Sequence, residues 1–169
     1  MATVVCKQPM VDELTILKER LAELPDPEIP VLTLQDLGVL RSVEVKDGEV
    51  VVTMTPTYSG CPAMDAMANA VRDVLNASPM PGRVETVFDP PWTTDWLSES
   101  GRRKLEEYGI APPVGSSDKR SLLGEDAAVP CPRCRSKSTR LISQFGSTAC
   151  KALYQCNDCL EPFDYFKCH

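Results

Sequence analysis

Two units follow from the sequence: a mixed domain of helices and short strands over residues 11–110, and a small ribbon built on four cysteines over residues 131–169. Three observations carry this. Leucines recur at three- and four-residue spacing from Leu14, the period of a helix. β-Branched runs flank Asp47-Gly48, the turn sequence of a tight hairpin. Six of the eight cysteines fall in the last 39 residues, and four of them form two C-x-x-C pairs.

Composition sets the outer limits. With 43% apolar and 25% charged residues in 169, the chain has the make-up of a globular protein with one modest core. No apolar run approaches the roughly 18 residues that cross a bilayer, and the start of the chain has no secretion-signal pattern, so a cytoplasmic protein is expected, with no membrane partner. The net charge of −6 is unevenly placed, −9 over residues 1–130 and +3 over residues 131–169. An acidic bulk lacks the basic face that phosphates need, which argues against nucleic acid as a partner, whereas the basic end suits an acidic protein surface.

The elements follow in order. Residues 1–10 have no periodicity and read as a flexible tail, leaving Cys6 without a role. Leu14, Leu17, Leu21 and Leu24 mark an amphipathic helix from Val11 that Pro25 ends. Three prolines in Leu24–Pro30 predict an extended, rigid loop, and a short helical turn follows at Thr33–Leu37, closed by Gly38. Strands are expected at Val39–Lys46 and Glu49–Thr55. A helix is expected over Ala63–Ala77, with Met64, Met67, Ala68, Val71 and Leu75 on one face and Pro62 in its first turn. A third strand at Arg83–Phe88 and a helix around Ser100–Tyr108 complete the domain. Pro112, Pro113, Gly115, Gly124 and Pro130 make 111–130 a linker between separately stable units.

Cys131, Cys134, Cys156 and Cys159 have the spacing of a four-thiolate zinc ribbon, two knuckles with 21 residues between them. Each tight turn aims two thiolates at one ion, and a hairpin brings the second pair back to complete a tetrahedron. Some 40 residues bury too little surface to fold alone, so the metal would supply folding energy. Zinc suits the site by default, with a rubredoxin-type iron centre as its rival. Arg133, Arg135, Lys137 and Lys151 would offset the charge of the thiolates. Cys150, Cys168 and His169 are either spare ligands or small residues without chemistry, and Cys150 reads as a buried one.

Cys61 stands between Gly60 and Pro62 at an expected helix start. Free amides and the helix dipole there favour a thiolate and hence a metal ligand; the same position also suits a small packing residue. The acids Asp26 and Glu28 of the proline loop reach it if the first helix packs beside the second. A cysteine hydrolase is disfavoured, because the sole histidine, His169, lies in the other unit, and no phosphate-binding glycine loop is present.

Residues Asp26-Pro-Glu-Ile-Pro-Val31, Asp36-Leu-Gly38, Asp47-Gly48, Thr55-Pro56 and Gly60-Cys-Pro62 resemble the signature of the small domain family of iron–sulfur assembly factors. That family includes the bacterial Suf-pathway T protein and the eukaryotic cytosolic targeting factor, and the likeness runs over roughly residues 11–109. The tail Phe145-Gly-Ser-Thr-Ala-Cys-Lys-Ala-Leu-Tyr154 through Cys168 resembles the PaaD (PaaJ) family of accessory subunits encoded with the bacterial phenylacetyl-CoA epoxidase.

The resemblance implies an α+β domain, helices packed on a short sheet, followed by a zinc-ribbon-like module. It also implies an accessory role in phenylacetate degradation, beside oxygenase subunits with a di-iron centre and a reductase with a flavin and a two-iron cluster. The chain has no paired Glu-x-x-His helices and so is not the oxygenase. The reading expected first is a non-catalytic maturation factor in which Cys61, helped by Asp26 and Glu28, transiently holds an iron–sulfur unit, with the reductase as client. One thiolate is too few for a cluster that takes four, so a homodimer, a client thiol or a small thiol must complete it. Its rivals are a structural or regulatory component that docks through the ribbon, and, less favoured, electron transfer through an iron-loaded ribbon.

Overall fold

A computed structural model of the chain describes residues 8–114 and 128–167. Cys6, Cys168, His169 and the middle of the expected linker lie outside the described residues.

Helix α1, Gln8–Ala22, places Leu17 and Leu21 one turn apart in the core. It starts at Gln8, so the last three residues of the expected tail are helical. The proline-rich segment after it is not extended. It folds back on itself: Asp26 N–H donates to Leu32 O at 2.8 Å, Leu34 N–H to Leu24 O at 2.8 Å, and Ile29 and Leu32 are buried beneath. The reason is Asp26, whose Oδ1 accepts the amides of Glu28 (2.8 Å) and Ile29 (2.6 Å), an aspartate turn that offsets the rigidity of the prolines.

Helix α2, Leu34–Leu37, is a single turn held by a capping box between Thr33 and Asp36. Gly38 closes it at φ +68, where a Cβ would lie 2.7 Å from the Trp96 carbonyl oxygen. Strands β1 (Leu40–Lys46) and β2 (Glu49–Met54) form the expected hairpin, with Asp47 and Gly48 both at positive φ, as a two-residue turn requires. Helix α3, Ala63–Asn76, buries Met67, Val71 and Leu75 and crosses over to β3, Gly82–Thr86, which pairs parallel to β2. The sheet order is β1-β2-β3, and the central strand buries Val50, Val51, Val52 and Met54.

Helix α4, Glu99–Tyr108, is capped by Ser98 and tied to α2 by Asp36, which accepts from Ser98 Oγ (2.8 Å) and pairs with Lys104 (2.5 Å). Beyond it the chain enters the sheet of the second unit. Strand β4, Ile110–Ala111, pairs parallel with β7, Pro162–Phe166, in a second sheet of order β4-β7-β6-β5, where β5 is Thr139–Ser143 and β6 is Lys151–Cys156. Residues 112–114 are held as well: Arg102 donates to Pro113 O at 3.0 Å, and Val114 N–H lies 3.4 Å from the Tyr165 hydroxyl. Phe166 and Cys150 belong to the same core as Leu21, Met67 and Trp92, while Ala111, Val129, Cys131, Cys156 and Phe163 form a smaller core under the ribbon. A ribbon this small has little core of its own, so its inner face is covered by the first domain. Among the described residues no helix is long and apolar enough to cross a membrane.

Candidate metal centre and the Cys61 loop

The two knuckles are built alike. Cys131 N–H donates to Ser136 O and Cys156 N–H to Glu161 O, each at 2.9 Å, so each C-x-x-C turn is closed by a backbone bond five residues on. The residue after the second cysteine is left-handed in both, Arg135 at φ +65 and Leu160 at φ +62. These turns gather the sulfurs of Cys131, Cys134, Cys156 and Cys159 within 4.8 Å of one another. Cys131 and Cys159 are 3.7 Å apart and Cys134 and Cys156 3.5 Å. A zinc tetrahedron with bonds of about 2.3 Å has edges of about 3.8 Å, so the four thiols fit such an ion. Cys131 and Cys156 are buried and anchor the site, whereas Cys134 and Cys159 face outward.

Backbone amides and neighbouring sulfurs pull the thiols in opposite directions. The Cys159 and Asp158 amides draw the Cys156 thiol down to about 7. Against the pull of the Ser136 amide, hydrogen bonding among the sulfurs pushes Cys134 up to about 12. Four thiolates cannot coexist unneutralised, and a divalent ion removes the conflict. Of the cations expected to help, Arg133 pairs with Glu161 and Arg135 with Glu106 of α4. Lys151 does not serve the centre. It is buried at the opposite end of β6, 3.5 Å from Asp164, where its charge bears on Asp26.

The loop before α3 holds Cys61 half-buried, its amide donating to Tyr58 O at 3.2 Å. The first helix does pack beside α3, and the acidic loop comes with it. Burial raises the Cys61 thiol above its ordinary value, and the nearby carboxylates of Glu28 and Asp26 raise it further, against the Ala63 amide and the Thr57 hydroxyl, which lower it. The expectation of an acidic thiol is therefore corrected: burial and two acids outweigh the amides of the helix start. Asp26 is buried, which raises its carboxyl against the Ile29 and Glu28 amides. Its Oδ1 is committed to shaping the loop, while Glu28 turns its Oε2 to within 3.9 Å of the Cys150 sulfur.

Cys150 is buried, as its sequence reading has it. It arrives from the turn before β6, is 5% exposed, and has its sulfur 3.1 Å from Thr148 Oγ1. The structure thus brings Asp26, Glu28, Cys61 and a ribbon cysteine into one neighbourhood, with the four-thiolate centre apart from it.

Fold and site together define a class: an iron–sulfur-assembly-type α+β domain carrying a four-cysteine ribbon. Residues 15–87 match a family model described as an iron-sulfur cluster assembly protein, and residues 115–167 one described as the PaaD zinc beta ribbon domain. A protein of Escherichia coli, provisionally named as one of the subunits of 1,2-phenylacetyl-CoA epoxidase, is 51% identical over 161 residues, 95% of this chain and 94% of its own length. The chain belongs to the PaaD family of epoxidase subunits. An Fe-S protein maturation auxiliary factor of Porphyromonas gingivalis is 41% identical over 83 residues, 47% of this chain and 78% of its own. The crystal structure of a domain of unknown function, DUF59, from Bacillus anthracis superposes with a TM-score of 0.51 at 26% identity, covering 56% of this chain and 92% of that one.

Proposed function

We propose that the chain is a non-catalytic maturation factor of a phenylacetyl-CoA epoxidase, acting in the cytoplasm and supplying iron or an iron–sulfur unit to its oxygenase or reductase subunits. The observation that carries this reading is the convergence of Cys61 with Glu28 and Asp26 in a domain of the iron–sulfur assembly type. A half-buried thiol beside a carboxylate stays protonated and closed while empty, and binding a cation replaces its proton. A donor needs a site of this sort, one that is occupied only with cargo. Zinc is the ion we assign to Cys131, Cys134, Cys156 and Cys159, where it supplies folding energy and no redox chemistry.

The experiment is complementation with the Cys61→Ser chain in cells that lack the wild type. The reading expects the serine variant to accumulate normally and to bind its partner subunits, while the reductase isolated from those cells lacks iron and sulfide. Oxygenase and reductase both fully loaded in those cells would overturn it. A second reading, a structural or regulatory component that docks through the ribbon, draws on the exposed apolar side chains of Leu141, Ile142, Phe145 and Leu160. It expects Cys61→Ser to be without effect.

A further inference from the structure

The second sheet has two edges, and among the described residues the chain covers only one of them. Strand β4 of the first domain lies against β7, while β5, at the far end of the order β4-β7-β6-β5, is paired with β6 alone. That open edge is apolar. Leu141 and Ile142 on β5 are 46% and 49% exposed, and Phe145 just beyond it is 69% exposed. Three of the eight large apolar side chains that face solvent among the described residues thus fall within one short stretch. A bulge helps to expose them: the register slips between Leu141 and Ser143, which leaves Ile142 without a partner on β6.

The charge around this edge is as one-sided as its polarity. Of the six cations in residues 131–169, Arg133 pairs with Glu161, Arg135 with Glu106 and Lys151 with Asp164. Asp158, the third acidic side chain of that stretch, accepts from Ser136 Oγ. Lys137, Arg140 and Lys167 are left without an ion pair among the described residues, and all three flank the apolar side chains. Lys137 O accepts the Thr139 amide at the start of β5 (3.1 Å), and Arg140, on β5 itself, donates to Gln155 Oε1 (2.6 Å). Lys167 Nζ lies 5.0 Å from the Phe145 ring centroid and donates to Gln144 O (3.1 Å). Three positive charges without counter-charges, set around an apolar strip, are complemented by a surface that is both acidic and apolar.

We propose that the β5 edge of the ribbon is a docking surface for an acidic segment of an epoxidase subunit. An apolar side chain of that segment seats among Leu141, Ile142 and Phe145, and its carboxylates face Lys137, Arg140 and Lys167. The proposal deepens the reading in which the chain docks through its ribbon and rests on it; it does not depend on Cys61 as the cargo thiol. A second copy of this edge is a poor occupant, because two of them face to face would set like charges against each other. The bulge and Arg140 also act against pairing with another strand, as protected sheet edges do, so side chains carry the contact. An apolar strip this small, ringed by exposed charges, gives a weak and salt-sensitive interface, as suits a factor that must leave its client.

The test titrates the full, zinc-loaded chain with the purified oxygenase subunits and, separately, with the purified reductase, at low and at raised salt. Wild type should bind one of them, and more weakly as salt rises. Leu141→Ser and Phe145→Ser should each weaken that binding at least about tenfold, as the loss of a central anchor does. Lys137→Glu combined with Arg140→Glu should slow association and flatten the salt dependence. All four side chains are exposed, so zinc content and the unfolding transition should remain those of wild type. Phe88→Ser, at an exposed aromatic of the first domain, should bind as wild type does. Patch variants that bind normally, or binding lost in Phe88→Ser instead, would overturn the surface and leave docking itself standing. An unchanged salt dependence in the charge-reversed chain would overturn the acidic partner, as would self-association of the chain that Leu141→Ser abolishes. No binding of wild type to either protein would remove both the surface and the docking reading.

Discussion

Phe166, on the last strand of the ribbon, meets Trp92 of the first domain edge to face, with ring centroids 6.3 Å apart. Both are buried, and Trp92 Nε1 donates to Leu37 O at 2.8 Å, so the contact reaches from β7 through Trp92 to the end of α2. Phe166→Ala should therefore destabilise the whole chain by about 3–5 kcal/mol, the cost of emptying a core aromatic site. Chemical denaturation followed at Trp92 and at the bound metal should show one shared transition in wild type. Two separate transitions would mean that the units fold independently.

The ribbon should depend on an ion held by its four cysteines. Removing the metal with a chelator, or replacing Cys156 by serine, should expose Val129 and Phe163 and make residues 128–167 sensitive to protease. Zinc-type sites supply roughly 10–16 kcal/mol of folding free energy in small modules, far more than this one's five-residue core. Metal analysis should give one ion per chain in wild type and less in the variant.

Both knuckles carry a left-handed residue that is not glycine. At Leu160 (φ +62) the side chain is exposed, so Leu160→Gly relieves the backbone without emptying a core. It should strengthen the ribbon by about 1 kcal/mol, read as slower loss of zinc to a competing chelator.

Asp36 makes stability depend on acid. Burial alone would raise its carboxyl, but Lys104, Ser98 and Thr33 together hold it below its ordinary value of 3.8. A lowered folded pKa gives stability that is complete above the unfolded value and is lost as pH falls through the folded one. Lys104→Ala should thus cost about 1 kcal/mol near neutrality and shift acid unfolding to higher pH, while the difference between wild type and variant fades once Asp36 is protonated in the folded state.

What is legible in the sequence is local. The leucine spacing of α1, the Asp47-Gly48 turn, the apolar face of α3 and the two knuckles each depend on neighbours a few residues away, and the structure has them. What stays hidden depends on distant parts. The β4–β7 pairing joins residues more than 50 positions apart, and Phe166 and Cys150 look like ribbon residues until the first domain's core closes over them. The Cys61 thiol follows the same rule. Its helix start can be read from Gly60 and Pro62, but the burial and the Glu28 carboxylate that raise it come from elsewhere in the fold. The proline loop reads as extended only while Asp26 counts as a surface acid; as the acceptor of two amides it turns the chain back.

The central claim, that cargo passes through Cys61, is tested most directly by transfer between purified proteins. The chain is loaded with iron and sulfide without oxygen, freed of unbound ions, and mixed with reductase lacking its two-iron cluster while the reductase's visible absorbance is followed. Wild type should restore the cluster spectrum and the Cys61→Ser chain should not, with its zinc content unchanged. Equal restoration by both proteins would contradict the account.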